Sequence, residues 1–324
     1  KQVTLTVIDD IAPTNQDTVF TTDTTVKGSA PVTIGNSGEA AVWFAPADTT
    51  EFTAGATMTT ASGSAGTILA PATGGPYKLY VIDADGNVSQ ASNKTLTVDN
   101  TKPVIGSGTT ATQKNESELT STGVTVYTAT ANETVTWELT DGTTNFQIDQ
   151  GNGAVTNRVA LSAGDYTFKV RAEDDVGNKS DEKQVTLTVN DDIKPVINSG
   201  TTATQKNESE LTSTGVTVYT ATANETVTWE LTDGTTKFEI DQDTGAVTNT
   251  VALSAADYTF KVRAEDNAGN KSDEKQVTLT VADDIAPTNQ NTVFTTDITV
   301  NSGDNVDIEN TSEAAVWFAQ EGTT

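Results

Sequence analysis

The chain has 324 residues, contains neither Cys nor His, and carries 45 acidic against 18 basic residues, for a formal net charge of −27. Such an acidic surface repels nucleic acid and anionic lipid, and the missing Cys and His exclude thiol nucleophiles, histidine bases and the usual zinc sites. Apolar residues make up 35 %, which favours several small domains with thin cores. The sequence contains no run of 18 apolar residues that would predict a membrane span.

Internal repeats divide the chain into five segments. Residues 1–12 hold the last strand and linker of a preceding domain, and residues 13–102 form a repeat that we call type A. Two type B repeats follow, 103–194 and 195–286, which differ at only 11 of 92 positions. The beginning of the type A repeat returns at 287–324 and is incomplete. We therefore expect a segment of a longer array that gained length by duplication.

Within 103–194, apolar and polar residues alternate with the period of half-buried strands. In chain order, the apolar positions are Val124 and Val126; Val135, Trp137 and Leu139; Phe146 and Ile148; Val155 and Val159; Tyr166, Phe168, Val170 and Ala172; and Val185, Leu187 and Val189. With an extended segment at Pro103, they predict about seven short strands. This spacing predicts an all-β fold of two-sheet, Ig-like β-sandwiches in tandem, arranged end to end. Trp137 is expected in the core, and Tyr166 is expected to form a tyrosine corner.

Every repeat ends in a similar way, with Thr-Leu-Thr-Val, two or three residues of which at least two are Asp or Asn, two further residues and Pro. Pro fixes its own φ and keeps the residue before it extended, so the linkers are predicted to be short and stiff. Domain boundaries are therefore expected near Pro13, Pro103, Pro195 and Pro287.

Acidic and amide residues recur at the ends of the repeats. Calcium takes six to eight oxygen ligands from carboxylates, amides and backbone carbonyls. The segment 83–87, Asp-Ala-Asp-Gly-Asn, alternates such oxygens around a glycine, and the segments 173–178 and 265–270 hold the same place in their repeats. Linker carboxylates are expected to complete the coordination, with Asp191 and Asp192 beside the segment 173–178. The alternative is a set of solvated turns, which also favour Asp, Asn and Gly.

The runs at 145–195 and 237–287, the second reading KFEIDQDTGAVTNTVALSAADYTFKVRAEDNAGN…VTLTVADDIAP, resemble cadherin repeats. The layout resembles the tandem Ig-like and cadherin-like extender repeats of giant secreted bacterial adhesins. In cadherins, calcium binds between consecutive domains through acidic residues of the linker and of adjacent loops. The resemblance therefore implies ligands at Asp174, at Asp266 and in the linkers, and looser ones at Glu116 or Glu118 and at their copies.

The sequence departs from the cadherin pattern in two places. Ala131-Asn132-Glu133 stands where the family has Asp-x-Asp, and the acidic Leu-Asp-Arg-Glu motif is replaced by Leu161-Ser162-Ala163-Gly164. One Ca2+ ion per junction is therefore expected. The complete predicted ligand set is Asp9, Asp10, Asp83, Asp85, Asn87, Asp99, Asn100, Glu116, Glu173, Asp174, Asp191, Asp192, Glu208, Glu265, Asp266, Asp283 and Asp284.

These features predict a non-catalytic extender of a long bacterial cell-surface adhesin, stiffened by calcium at its junctions. Near-identical neighbours do not normally hold separate active sites, so no residue is assigned to catalysis. The predicted location is extracellular, on the cell surface or secreted. Expected partners are neighbouring repeats of the same chain and, through a distant tip domain, a host or neighbouring cell; nucleic acid and membrane insertion are not expected.

Two alternatives stay open from the sequence. The first is the repeat unit of a surface filament or sheath, whose domains also contact each other laterally. The second is a direct carbohydrate-binding or cell-binding module, which needs exposed aromatic residues. The candidates are Trp43 and Phe44, and Trp317 and Phe318 in the copy. Neighbouring residues of a strand point to opposite faces, so one of each pair is expected outside the core.

Overall fold

A computed structural model describes residues 3–5 and 7–288 and, beyond them, 294, 298–300, 302–303, 305–308 and 315–319. The chain divides into two compact units, Lys1–Asp191 and Asp192–Thr324. The predicted incomplete repeat at 287–324 lies largely outside the described residues. Three separate hydrophobic cores fall inside the predicted repeats 13–102, 103–194 and 195–286. The residue-level boundaries between domains stay predictions.

The first domain of unit 1 is a β-sandwich with one short helix. Its elements are α1 (Gln16–Val19), β1 (Thr24–Val26), β2 (Pro31–Thr33), β3 (Ala41–Ala45), β4 (Thr59–Ser62), β5 (Thr67–Leu69), β6 (Gly75–Ile82) and β7 (Leu96–Val98). One sheet has the order β1-β7-β6-β3-β4, and β2 pairs with β5 in the other. The core includes Val42 and Phe44 of β3 and Leu79 of β6, since alternate side chains of these strands face inward.

The second domain of unit 1 has seven strands, six of them where the alternation predicts. The extended segment predicted at Pro103 is not one of them: it makes an isolated bridge from Ile105 to Ala131, and the first strand lies at Lys114–Asn115. The strands are β8 (Lys114–Asn115), β9 (Thr125–Thr128), β10 (Thr136–Asp141), β11 (Phe146–Ile148), β12 (Ala154–Asn157), β13 (Gly164–Glu173) and β14 (Lys183–Asn190), with a 3₁₀ turn at Glu116–Leu119. The sheets have the orders β10-β13-β14-β8 and β11-β12-β9. In both domains the first strand of the larger sheet pairs parallel with the last. The predicted all-β sandwich is confirmed.

Two predicted core features are confirmed. Trp137 is buried in the core with Phe168 and Val170, which lie on the inward face of β13. Tyr166 donates its hydroxyl hydrogen to the carbonyl of Ser162, four residues upstream, at 3.0 Å. Such a bond is the mark of a tyrosine corner. Tyr77 makes the equivalent bond to the Thr73 carbonyl at 2.8 Å in the first domain.

Unit 2 contains the second type B domain. Its strands are β15 (Lys206–Asn207), β16 (Thr217–Thr220), β17 (Thr228–Asp233), β18 (Phe238–Ile240), β19 (Ala246–Asn249), β20 (Ala256–Glu265) and β21 (Lys275–Ala282). Strand order and register repeat those of the first copy: Trp229 pairs with Ala264 as Trp137 pairs with Ala172. The prediction that both copies share one fold is therefore confirmed.

The direction of the β13–β14 hairpin decides where the acidic loop lies. In the antiparallel register, Gly164 faces Val189 and Val170 faces Lys183. The loop 174–182 is therefore at the end of the sandwich opposite Asn190. It lies beside the linker that enters the domain, where Lys102 reaches Asp181 at 3.2 Å.

Candidate metal site

Three carboxylates meet where the first domain of unit 1 joins the second. Asp99, Glu133 and Asp174 each place one carboxylate oxygen within 4.8 Å of the others. Asp99 follows β7, Glu133 lies between β9 and β10, and Asp174 follows β13. The cluster therefore combines one linker residue with two loops of the domain that the linker enters. Asp174 is buried, Asp99 is half-buried and Glu133 is exposed.

The Asp174 carboxylate is held in place by its own loop. One oxygen accepts the backbone N–H of Val176 at 3.0 Å and that of Asn178 at 2.8 Å, and the other accepts the Asn178 side-chain amide at 2.8 Å. Burial raises the pKa of Asp174, but these hydrogen bonds outweigh it and bring the pKa below its ordinary value of 3.8. Asp174 therefore offers charged oxygens in a fixed position.

The linker is fixed to the preceding domain. Asp99 donates its backbone N–H to the Val26 carbonyl at 2.9 Å, and its carboxylate accepts the N–H of Thr101 at 2.8 Å. Asn100 accepts the N–H of Gly28 and donates to the Ala72 carbonyl, both at 2.9 Å. Gly28 is needed for this approach, because a Cβ there would lie 2.7 Å from the Ala72 oxygen. The predicted ligand Asn100 thus serves as a tether between linker and domain.

The predicted ligand Glu173 lies outside the carboxylate cluster and is engaged elsewhere. Lys179 lies 3.1 Å from Glu173 and 3.2 Å from Glu138, and Arg171 lies 2.7 Å from Glu138. Glu173 and then Glu138 raise the pKa of Lys179. This ion-pair network covers the outer face of the sheet next to the cluster, so Glu173 is neutralised by protein cations.

The first domain has a loop of the same geometry, residues 83–87, at the end where its own linker enters. Asp83 accepts the backbone N–H groups of Asp85 and Asn87, and Asn87 donates its side-chain amide to the other Asp83 oxygen at 2.8 Å. The Asn87 side chain lowers the pKa of Asp83, and the backbone bonds lower it further. Asp9 accepts the N–H of Ile11 with its carboxylate. Asp10 is exposed, as is Asp85.

The predicted ligands Glu116 and Glu208 lie near the ends of their domains that are remote from the acidic loops. Glu116 accepts the backbone N–H of Ala163 at 3.0 Å, and Glu208 accepts that of Ala255 at 3.2 Å. Each carboxylate thus joins its 3₁₀ turn to the loop before the tyrosine-corner strand. Neither belongs to the carboxylate cluster of its own domain.

In unit 2, Glu225 and Asp266 repeat the positions of Glu133 and Asp174, and their carboxylate oxygens lie within 4.8 Å of each other. Glu265 pairs with Lys271 at 3.0 Å, as Glu173 does with Lys179. Further along, Asp283 accepts the N–H of Ile285, and Asp284 accepts the N–H and hydroxyl of Ser209. Asp191 occupies the sequence position of Asp99 and Asp192 that of Asn100, and their roles stay predictions.

The sequence reasoning missed one residue and misplaced one loop. Glu133 is absent from the predicted ligand set, because its segment departs from the cadherin pattern. The acidic residue at the same position of the other copy, Glu225, is the sequence signal that points to it. The expectation that Asp191 lies beside the segment 173–178 is wrong, because Asn190 ends β14 at the opposite end of the sandwich; the place of Asp192 stays a prediction. Asp174 contacts the linker before its domain, because the antiparallel hairpin carries the loop back to that end.

The aromatic pairs follow the predicted alternation in part. Phe44 is fully buried, and Trp43 is half-buried on the opposite face. Phe52 covers Trp43 edge-on at 5.5 Å and also packs against Tyr80 at 5.1 Å. The Trp43 ring is therefore part of a small packed cluster. Trp317 and Phe318 are both exposed in the segment 315–319.

No known protein-family model matches the chain. It is 29 % identical over 215 residues to the mouse and human proteins named Cadherin EGF LAG seven-pass G-type receptor 2. That stretch covers 59 % of this chain and 7 % of each relative, so the chain spans a small part of the relatives' length. Among the described residues, no helix is long and apolar enough to cross a membrane.

The chain is also similar to solved structures of cadherins. Mouse cadherin-23 EC22–24 is 17 % identical with a TM-score of 0.41, covering 82 % of this chain and 96 % of that one. Drosophila N-cadherin EC1–4 is 18 % identical with a TM-score of 0.43, covering 82 % and 74 %. The strand orders and the parallel first-to-last strand pairing define the described part of the chain as consecutive all-β sandwich domains.

Proposed function

We propose that this chain is a non-catalytic extender of a long bacterial surface adhesin, and that calcium bound at its domain junctions stiffens it. The observation that carries the proposal is the cluster of Asp99, Glu133 and Asp174. It joins a linker carboxylate to two loops of the next domain within 4.8 Å. An ion bound there would connect two domains through one coordination shell.

The electrostatics of the cluster favour a cation. Two unit charges 4.8 Å apart repel by about 0.9 kcal/mol in bulk water and about 3.5 kcal/mol at an effective dielectric constant of 20. Three such pairs act against the closed junction when the carboxylates are ionised. A divalent cation replaces this repulsion by attraction, and carboxylate and carbonyl oxygens are the ligands that calcium prefers.

The remaining parts of the proposal follow from position and composition. Calcium sites in extracellular modules are weak, with dissociation constants on the order of 10⁻⁴ to 10⁻³ M, so a site of this kind fills only outside the cell. The partners are the neighbouring repeats of the same chain and, through a distant tip, another cell surface. Charge −27 disfavours nucleic acid as a partner. An extender needs no catalytic residue, and none is assigned.

Calcium titration of the whole chain tests the proposal. Calorimetry should detect binding in the range above, and small-angle scattering should give a shorter or broader maximum dimension after chelation. Asp99→Asn and Glu133→Gln should each weaken binding at this junction by about tenfold, or about 1.4 kcal/mol. Asp175→Asn is the matched control, because this exposed neighbour of Asp174 is already Asn267 in the other copy. Absence of binding, or equal loss in the control, contradicts the proposal.

A further inference from the structure

Asn178 contacts both sides of the junction without an ion. Its side-chain nitrogen donates one hydrogen to the Asp174 carboxylate at 2.8 Å and the other to the backbone carbonyl of Asp99 at 3.0 Å. The residue is 3 % exposed. Both amide hydrogens are therefore used, one inside the second domain and one on the linker. We call Asn178, Asp174 and the Asp99 carbonyl the linker clasp.

Other contacts fix the same linker on either side of the clasp. Asn100 ties it to Gly28 and Ala72 of the preceding domain. Past the linker, Lys102 pairs with Asp181, and the Val104 N–H reaches the Asn132 side chain at 2.7 Å. The linker thus has hydrogen-bond partners in both domains, all of them supplied by the protein itself.

The clasp occurs a second time in unit 1. Asn87 donates one side-chain hydrogen to Asp83 at 2.8 Å and the other to the backbone carbonyl of Asp9 at 3.0 Å. Asp9 holds the position before Pro13 that Asp99 holds before Pro103. The surrounding sequences of the type A and type B repeats differ widely, so the shared feature is the pair of side chains and the linker carbonyl they hold.

We propose that the linker clasp sets the junction between the first two domains without metal, and that a cation adds to a geometry already formed. The Asn178 side chain is buried, so breaking its bond to the Asp99 carbonyl would leave a buried donor without a partner, which costs free energy. The clasp therefore restricts the joint in calcium-free surroundings. This inference concerns the joint of the proposed extender, but it does not depend on the ion.

Distances between spin labels in the whole chain test the inference. The chain has no native Cys, so Thr60→Cys and Thr167→Cys, both at exposed positions in different domains of unit 1, place the only two labels. In chelator, the otherwise unaltered chain should give a narrower distance distribution than the clasp variants, and calcium should narrow it further. Asn178→Ala should broaden it roughly twofold by releasing the linker into several states. Asn145→Ala is the matched control, because this half-buried residue follows β10, away from the linker, and is Lys237 in the other copy.

Asn178→Asp provides a second variant of nearly the same volume that cannot donate to the Asp99 carbonyl; it should also broaden the distribution. A retained near-ultraviolet circular dichroism spectrum, to which the buried Trp137 contributes, shows that each variant is folded. Equal widths for the unaltered chain and both variants in chelator overturn the clasp. If the unaltered chain is narrow in chelator, both variants are broader and calorimetry finds no calcium binding, the clasp stands and the calcium proposal fails.

Discussion

Single side chains decide which of the many acidic residues can serve a cation. Asp174 and Glu173 are neighbours in sequence and look equivalent in composition. Asp174 faces the junction with Asp99, whereas Glu173 faces the outer sheet surface and pairs with Lys179. Adjacent residues at the end of a strand point to opposite faces. The charge of the loop is thus divided between a joint and an ion-pair network.

Lys179 should weaken calcium binding at this junction. It carries a positive charge next to Asn178 and neutralises Glu173, the neighbour of Asp174. Lys179→Met removes that charge and should strengthen calcium binding about two- to fourfold, which matches the modest worth of partly exposed charge pairs. Calorimetric titration measures the change. Lys169→Met, which breaks the pair between this β13 residue and Glu182, should leave the affinity unchanged. An equal gain in affinity there would contradict a local effect of Lys179.

The Glu138 network should make stability depend on pH. The Arg171 side chain lowers the pKa of Glu138 below its ordinary 4.5, Lys179 adds to the effect, and burial opposes it. Because the folded pKa is the lower one, the stabilisation is complete above pH 4.5 and is lost as the pH falls through the folded pKa. Glu138→Gln should lower the free energy of unfolding by up to about 1 kcal/mol at pH 7 and leave it unchanged once Glu138 is protonated. Urea unfolding in chelator, at pH 7 and at a pH below the folded pKa of Glu138, measures the difference.

At the scale of strands and turns, one glycine holds the core tryptophan in place. Gly153 joins β11 to β12 with a φ of +73°, and a Cβ there would lie 2.6 Å from the Ala129 carbonyl oxygen and 3.0 Å from the Trp137 indole nitrogen. Such a turn accepts only glycine without strain.

Gly153→Ala should therefore destabilise the domain by more than about 2 kcal/mol, since backbone strain and a clash add. Thermal unfolding with tryptophan fluorescence measures the loss. Gly151→Ala in the same turn is the control, because its position has no such contact and is Asp243 in the other copy. A loss below 0.5 kcal/mol at Gly153, roughly the background of neutral surface changes, would show that the turn can rearrange.

The strands could be predicted from the sequence because each carries its own local signal. The alternation of Phe168, Val170 and Ala172 fixes which face of β13 is buried, and Tyr166 fixes how that strand begins. The partner of the acidic loop could not be predicted in this way. Asp174 is nearer in sequence to Asp191 than to Asp99, and only the direction of the hairpin puts it beside Asp99. Contacts between distant segments depend on topology, which local patterns do not encode.

At the scale of the whole chain, the two type B domains should behave as mechanical twins. Their cores and strand registers are the same, so pulling on the ends of the chain should unfold both at similar forces. Each event should release about 300 Å, as expected for some ninety residues at about 3.5 Å per residue. Single-molecule force spectroscopy measures these steps. Clearly separated forces for the two domains would show that the 11 substitutions alter stability.

Repeated cycles of unfolding and refolding should also reveal misfolding between the two near-identical neighbouring domains. Adjacent domains of nearly the same sequence can exchange strands during refolding. A fraction of relaxed chains should therefore show one step of double length, joining 103–194 and 195–286. A tandem of 13–102 and 103–194, whose sequences differ, should refold without such steps. Equal frequencies in both tandems contradict the strand-exchange explanation.

The course of the β13–β14 hairpin has a bearing on how an array of this kind grows. A repeat counted from Pro103 carries its acidic loop at the front and its acidic linker at the back. When such a segment of the gene is copied in tandem, every added loop comes with an added linker ahead of the next repeat. Elongation then requires no compensating mutation. The 11 substitutions that separate the two copies leave Glu133, Asp174 and Asn178 unchanged, so the parts of a joint are inherited together.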